Sequence, residues 1–308
     1  MKIHHDIESP ATSRPLVVAI GFFDGFHRGH RAIVTSLLRL RRPGYRAAVL
    51  TFRNHPATYL RPDRVPPLIS TVEERVNLLA GAGIDELYLV PFDERIASLD
   101  ARSFCSDMLA ETLGIRALVI GENFHFGKGR AGDAALARET LGPRGIAVAA
   151  VAPLADDDER ISSTRIRGAI ASGDMTTANR LLGQPYTLRG RVALGAGRGH
   201  DLGFPTANLE VAPEKTVPAD GVYAIVGRHD GRDYNGLVSI GTNPTFGGSV
   251  RTIEAWLLDF KHTMYGEDVM LRDFTFIREQ RTFGSIDDLL VQMRDDATHA
   301  RFPTFQRS

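Results

Sequence analysis

The sequence predicts two folded parts: a doubly wound α/β domain over residues 1–185, followed over 186–308 by a small antiparallel β-barrel with a C-terminal helix. Two observations predict this. Short branched apolar runs alternate with helical patterns through the first part, whereas beyond Gly183–Tyr186 extended runs separated by turns take over and helical spacing is absent until Ser285. Length agrees, since 308 residues exceed the usual single-core size and an apolar fraction of 43% can fill two cores.

Leu16–Ile20 is short, branched and apolar, as a buried parallel strand requires, and Arg31–Leu40 sets Ile33, Val34, Leu37 and Leu38 at helical spacing. Then come strand Ala47–Phe52, helix Val72–Ala80 with a Thr71/Glu74 capping box, strand Leu87–Val90, helix Ser103–Leu113, strand Ala117–Ile120, helix Ala134–Leu141 and strand Ala147–Val151. Ligands of such a sheet gather beyond the carboxyl ends of its strands. The later extended runs are Thr187–Leu194, Val222–Gly227, Tyr234–Ile240, Thr252–Phe260 and Val269–Ile277, with Asp230-Gly231 as a hairpin signal. Ser285 is an N-cap ahead of Ile286, Leu289, Leu290, Met293 and Ala297, an amphipathic helix that closes the barrel.

Formal charge is zero, with 37 basic and 37 acidic residues and no long block of one sign, which disfavours nucleic acid as the main partner. The single cysteine, Cys105, excludes an internal disulfide framework and suits a reducing compartment. No apolar run has signal-peptide or membrane-spanning character, so the expectation is a soluble cytoplasmic protein without a membrane partner.

The richest motif, Gly21-Phe22-Phe23-Asp24-Gly25-Phe26-His27-Arg28-Gly29-His30, lies between the first strand run and the first helix. Glycines there allow close backbone approach, helix N–H groups are free, and imidazoles donate to phosphate oxygens, so it reads as a nucleotide polyphosphate site. A metal site is disfavoured because no Cys or Glu stands at zinc spacing nearby. Thr51-Phe52-Arg53-Asn54-His55-Pro56 and Gly121-Glu122-Asn123-Phe124-His125-Phe126-Gly127 follow two further strands and mix aromatic with hydrogen-bonding groups. Each suits a planar ring and its phosphate, although turn chemistry alone explains either taken singly. Gly127–Gly132 fits the dinucleotide pattern but sits too far after its strand, and Gly121–Lys128 misses the P-loop spacing, so neither hydride transfer nor P-loop chemistry is supported.

Ile161-Ser162-Ser163-Thr164-Arg165-Ile166-Arg167 opens a helix with three hydroxyls and two arginines, a combination that binds phosphate and stabilises departing pyrophosphate. Gly195–Gly203 leads into Phe204-Pro205-Thr206-Ala207-Asn208. That loop can lay amides on phosphates, with Gly197, Gly203 and Pro205 beside them, while Thr206 and Asn208 offer hard oxygens suited to Mg²⁺. Glu254 is a lone carboxylate in an otherwise apolar strand, either outward and solvated or a positioned base, and alternation favours the outward reading.

The first motif and Ile161–Arg167 resemble the His-x-Gly-His and Ile-Ser-Ser-Thr-x-x-Arg signatures of the nucleotidyltransferase superfamily. With GENFHFGKGRAGD, LGFPTAN, VSIGTNPTFGG and TIEAWLLDF following in order, nearly the whole chain is similar to the bifunctional bacterial riboflavin kinase/FAD synthetase family. The resemblance implies a Rossmann-like adenylyltransferase domain and a β-barrel kinase domain. The first would convert FMN and ATP to FAD and pyrophosphate, the second riboflavin and ATP to FMN. It implies Glu254 as base on the ribityl 5′-hydroxyl, Thr206 and Asn208 as holders of Mg²⁺ and phosphates, and His27 and His30 as triphosphate contacts. Gly21, Phe23, Asp24, Gly25 and Gly29 would line the nucleotide. Ser162, Ser163, Thr164 and Arg167 would meet the departing pyrophosphate, and His55, Pro56, Asn123, Phe124 and Phe126 the flavin. The implied partners are small molecules, and the implied assembly a monomer or weak homo-oligomer. Phe22 and Phe26 replace the Asn and Val frequent in the family, and Arg53-Asn54 replaces Glu-Pro. Two alternatives therefore stay open: a riboflavin kinase with weak or absent adenylyl transfer, and a non-catalytic flavin-sensing or delivery module.

Overall fold

The computed structural model describes residues 1–7, 15–193, 206–242, 251–260 and 262–301. By internal packing the chain divides into Met1–Ser163 and Thr164–Ser308.

The first unit is built on six parallel strands: β1 (Lys2–His4), β2 (Leu16–Ile20), β3 (Arg46–Phe52), β4 (Glu86–Val90), β5 (Ile115–Gly121) and β6 (Ala147–Val151), in the order β1-β4-β3-β2-β5-β6. Its helices are α1 (Arg28–Leu40), α2 (Ala57–Leu60), α3 (Val72–Ala80), α4 (Glu94–Ser98), α5 (Ala101–Ser103) and α6 (Ala134–Leu141). A small hairpin, β7 (Ala155–Asp156) and β8 (Glu159–Arg160), precedes α7 (Ser163–Ala171). Separate apolar clusters cover the two faces of the sheet: Val18, Leu50, Phe104 and Leu118 belong to one, Val17, Val49, Leu37 and Leu79 to the other. From β2 the chain winds outward through β3 and β4, then returns to place β5 on the other side of β2. The switch point of this doubly wound sheet thus lies between β2 and β5, where a ligand crevice is expected beyond their carboxyl ends.

Three local readings change. β1 is a strand too short and polar to signal itself; it exists because β4 offers it a parallel edge, with Ile3 opposite Leu87. Helix α1 begins three residues earlier than its apolar spacing shows, because His27 caps it. The Ser103–Leu113 segment is a π-helix over Phe104–Thr112 that runs on from α5, so periodicity marked a helix there without identifying its pitch.

In the second unit α8 (Met175–Leu182) follows α7 and precedes a closed antiparallel barrel. Its strands are β9 (Thr187–Ala193), β10 (Ala207–Val211), β11 (Gly221–His229), β12 (Arg232–Thr242), β13 (Arg251–Leu257) and β14 (Asp268–Arg278). The order is β10-β13-β12-β11-β14-β9, closed by the β9–β10 pair. The expected Asp230-Gly231 hairpin is present, with φ of 45° and 74° as a two-residue I′ turn demands. The last helix, α9 (Ile286–Arg301), is capped by the Ser285 hydroxyl, which accepts from Asp288 N–H at 3.1 Å. Its Ala297 and Ala300 pack on Val222, Ala224, Leu237 and Trp256, which covers part of the barrel's outer face.

Candidate active sites

In the first unit the motif after β2 forms a tight turn. Phe23 and Gly25 adopt left-handed φ values of 57° and 70°, so the chain reverses through Asp24–Phe26 before α1 starts. His27 is the N-cap of α1, its Nδ1 accepting from His30 N–H at 3.3 Å. Acceptance at Nδ1 puts the proton of the neutral ring on Nε2, as a donor. The His30 ring stacks on His27 at 3.6 Å and 17°, and the buried Phe23 ring meets it edge-on at 5.2 Å. A Cβ on Gly29 would lie 3.1 Å from the His27 ring, so glycine is what lets the imidazole fold back over the helix start.

Burial pushes the His27 pKa down to about 4, with the Arg160 cation adding to the effect, and burial followed by the charges of His27 and Arg75 holds His30 well below the usual range. The pair is therefore neutral at physiological pH. It presents N–H donors beside a helix N-terminus without the cost of burying two cations. His30 Nδ1 is buried with no hydrogen-bond partner among the described residues. Stability should depend on this neutrality. With a folded pKa of about 4 against 6.5 unfolded, the unfolded chain binds the extra proton between those values, so stability is lost as pH falls below 6.5. Between pH 7.5 and 5 the expected loss from His27 is about 2 kcal/mol, and urea midpoints of wild type and His27→Asn, which keeps a capping oxygen, should converge as pH falls.

Asp24 is buried and works as a brace: its carboxylate accepts from Ile69 N–H at 2.9 Å, Ser70 N–H at 3.0 Å and the Ser70 hydroxyl. Gly25 N–H donates to Ser70 Oγ at 2.9 Å. Gly21 is buried at the end of β2. Of the second signature, Ser163 reaches this turn, its hydroxyl donating to Asp24 O at 3.4 Å, and Ser162 is half-buried beside it in sequence. Thr164 and Arg167 belong to the second unit, where Arg167 Nη2 donates to Thr164 Oγ1 at 3.4 Å. One residue escaped the sequence reading. Arg160, exposed on β8, acts electrostatically on His27, and its hairpin is tied to α1 by Arg28 Nη1 on Asp156 at 2.8 Å. A lone arginine before the serines was the only signal.

Beyond β3, Asn54 is consumed by turn chemistry. Its Nδ2 donates to Phe92 O and Thr58 Oγ1 and its Oδ1 accepts from Phe92 N–H. His55 is half-buried, accepts at Nδ1 from Ala57 N–H at 3.0 Å and meets the Phe22 ring edge-on, while Pro56 starts α2. Beyond β5, Asn123 is exposed and Phe124 half-buried, stacked on Phe126. Phe126 itself is core, packed on Phe104 at 5.1 Å, so its place is behind Phe124.

In the barrel, β10 is a strand that the sequence reading merged into the preceding loop. Its register puts Asn208 opposite Glu254 of β13, which is opposite Ser239 of β12, so three polar side chains form a row across adjacent strands. Ala255 and Leu257 are buried, so Glu254 lies on the opposite face of β13, where it is half-buried rather than solvated. Thr206 immediately precedes β10, and both it and Asn208 are half-buried. The Thr252 hydroxyl donates to Glu254 Oε1 at 3.2 Å, and Gln280, another residue missed from sequence, donates to Ser239 Oγ at 2.8 Å. Gly197, Gly203 and Pro205 lie outside the described residues.

Comparison with known proteins identifies relatives over nearly the whole chain. The FAD synthetase family model matches residues 9–165 and the riboflavin kinase model residues 182–302. A protein of Escherichia coli strain K12 named bifunctional riboflavin kinase/FMN adenylyltransferase is 35% identical over 296 residues, covering 95% of this chain and 94% of that one. A Bacillus subtilis strain 168 protein of the same name is 36% identical over 303 residues, covering 96% and 94%. A Streptococcus pneumoniae crystal structure titled as a macrolide-efflux protein superposes with a TM-score of 0.88 at 32% identity, covering 98% and 99% of the two chains. Among the described residues of this chain no helix is long and apolar enough to cross a membrane. On identity and coverage, the chain belongs to the bifunctional riboflavin kinase/FMN adenylyltransferase family.

Proposed function

We propose that this chain makes both flavin cofactors, phosphorylating riboflavin to FMN in the barrel and adenylylating FMN to FAD in the α/β domain. The observation that carries this reading is the match of one chain to both family models over separate stretches, 9–165 and 182–302. The functional halves in this reading are 1–185 and 186–308.

In the barrel, Glu254 takes the proton of the ribityl 5′-hydroxyl as its oxygen attacks the γ-phosphorus of ATP and ADP leaves. The half-buried carboxylate, held by Thr252, supports this role. Thr206 and Asn208 are neutral hard-oxygen donors, and among the described residues no group of three or more His, Cys, Asp or Glu could hold a metal. A divalent ion here would be held by Thr206, Asn208 and nucleotide phosphates, a donor set that suits Mg²⁺. When bound, Mg²⁺ neutralises charge on the transferred phosphoryl group.

In the α/β domain no covalent nucleophile is required: an FMN phosphate oxygen attacks the ATP α-phosphorus in line and pyrophosphate leaves. Catalysis is positioning and charge neutralisation. The neutral His27/His30 pair and the turn Gly21–Gly29 hold the triphosphate, Ser162, Ser163, Thr164 and Arg167 meet the pyrophosphate, and His55, Pro56, Asn123 and Phe124, backed by Phe126, face the flavin. The even charge balance supports small-molecule substrates over nucleic acid, and the reading places the chain in the cytoplasm, without a membrane partner, as a monomer or weak homo-oligomer.

Chromatography of flavins after incubation with riboflavin, ATP and Mg²⁺, and in parallel with FMN, ATP and Mg²⁺, tests this. FAD is expected in both. FMN without FAD would leave a kinase alone, and bound but unchanged flavin would mark a non-catalytic module.

A further inference from the structure

Arg75, on the first turn of α3, is used by none of the steps above, yet its side chain is among the largest fully buried ones, at 1% exposure. Its Nη1 donates to Phe22 O at 3.0 Å, and its Nη2 donates to Phe52 O at 2.6 Å and Arg53 O at 3.2 Å. The guanidinium carbon lies 4.2 Å from the centroid of the Phe22 ring, whose edge meets His55 at 4.7 Å. Three carbonyl oxygens and an aromatic face thus surround the guanidinium, whose charge the Asp24 carboxylate also favours. Burying a cation on such terms is costly unless the geometry it imposes is needed. Its three acceptors sit at or just past the ends of β2 and β3, so Arg75 fastens together the two strand ends that carry the first motif and the His55 loop. Thr51 Oγ1 donates to the same Phe22 carbonyl at 3.0 Å, a second tie at that point. Phe22 stays half-buried, so its ring is held without being enclosed.

We propose that Arg75 is a positioning residue for the flavin-side substrate of adenylyl transfer. Acting through Phe22 and the Phe52–Arg53 backbone, it sets an aromatic wall, Phe22 against His55, that meets the planar ring of the phosphate-bearing acceptor. This rests on the adenylyl-transfer reading given above. Lysine cannot replace it, because a tetrahedral ammonium cannot reach three carbonyls in a plane and stack on a ring at once.

Steady-state FAD formation, with FMN and ATP varied separately, tests this in wild type, Arg75→Lys, Phe22→Leu and the double variant. If wild type forms no FAD from FMN and ATP, the functional reading has failed before Arg75 is addressed. With wild type active, each single variant is expected to raise the KM for FMN about ten-fold, the order a desolvated cation–π contact supplies. The KM for ATP and riboflavin phosphorylation by the same polypeptide should stay near wild type. The double variant should be no worse than the poorer single one, because Arg75 acts through Phe22. Equal rises in both KM values, a fall in kcat alone, or single effects that multiply would overturn the proposal. Phe22→Leu leaves all three carbonyl bonds in place, so it carries the test even if Arg75→Lys does not fold, and an unchanged KM for FMN in it would be decisive against.

Discussion

Replacing Glu254 by Gln is expected to stop FMN formation from riboflavin while FAD formation from supplied FMN stays near wild type. The amide is isosteric and its oxygen still accepts from the Thr252 hydroxyl, so the row Asn208–Glu254–Ser239 keeps its shape. What disappears is the proton acceptor. A positioned base is worth roughly two to four orders of magnitude, so kinase turnover should fall by about that factor with little change in riboflavin KM. Chromatographic rates from the two starting flavins measure it. Equal loss of both activities would refute separate sites, and retained kinase activity would remove Glu254 from the chemistry.

His30→Ala should do the reverse, sparing the kinase and lowering FAD formation by about two orders of magnitude, the scale for one donor to a developing charge. Two effects combine. The donor itself is lost, and His27 loses the ring that stacks on it at 3.6 Å and loosens as the α1 cap. His30→Gln supplies a control, since it restores a side-chain N–H without the stacking and should recover part of the rate. FAD synthesis undiminished in His30→Ala, with the protein folded by thermal melt, would sink the assignment.

The two sites were unequally legible in the sequence. At the α/β site the glycines and histidines sit within ten consecutive residues, and the turn they form is local: Gly25 supplies its φ of 70° and His27 caps the helix that follows. Asp24 was legible as a site residue and illegible as a brace, because its partners Ile69 and Ser70 are forty-five and forty-six residues away. Phe126 shows the same limit from the other side. Its loop pattern suggested ligand contact, and packing on Phe104 makes it core. In the barrel, Glu254 was an ambiguous carboxylate until β10, absent from the strand pattern, brought Asn208 opposite it.

By itself the sequence determined the order of most elements, the change of architecture beyond Gly183–Tyr186 and the position of most motifs on their strands or helices. Hydrophobic period, capping and turn chemistry act over a few neighbouring residues, which is why they can be read along the chain. Only the tertiary structure decided that β2 and β5 flank the switch point, that β1 pairs with β4, and that Arg75 spends its charge on three carbonyls. The neutrality of His27 and His30 belongs with these. It comes from burial and from the charges of Arg160 and Arg75, and desolvation and strand pairing depend on residues that only folding brings together.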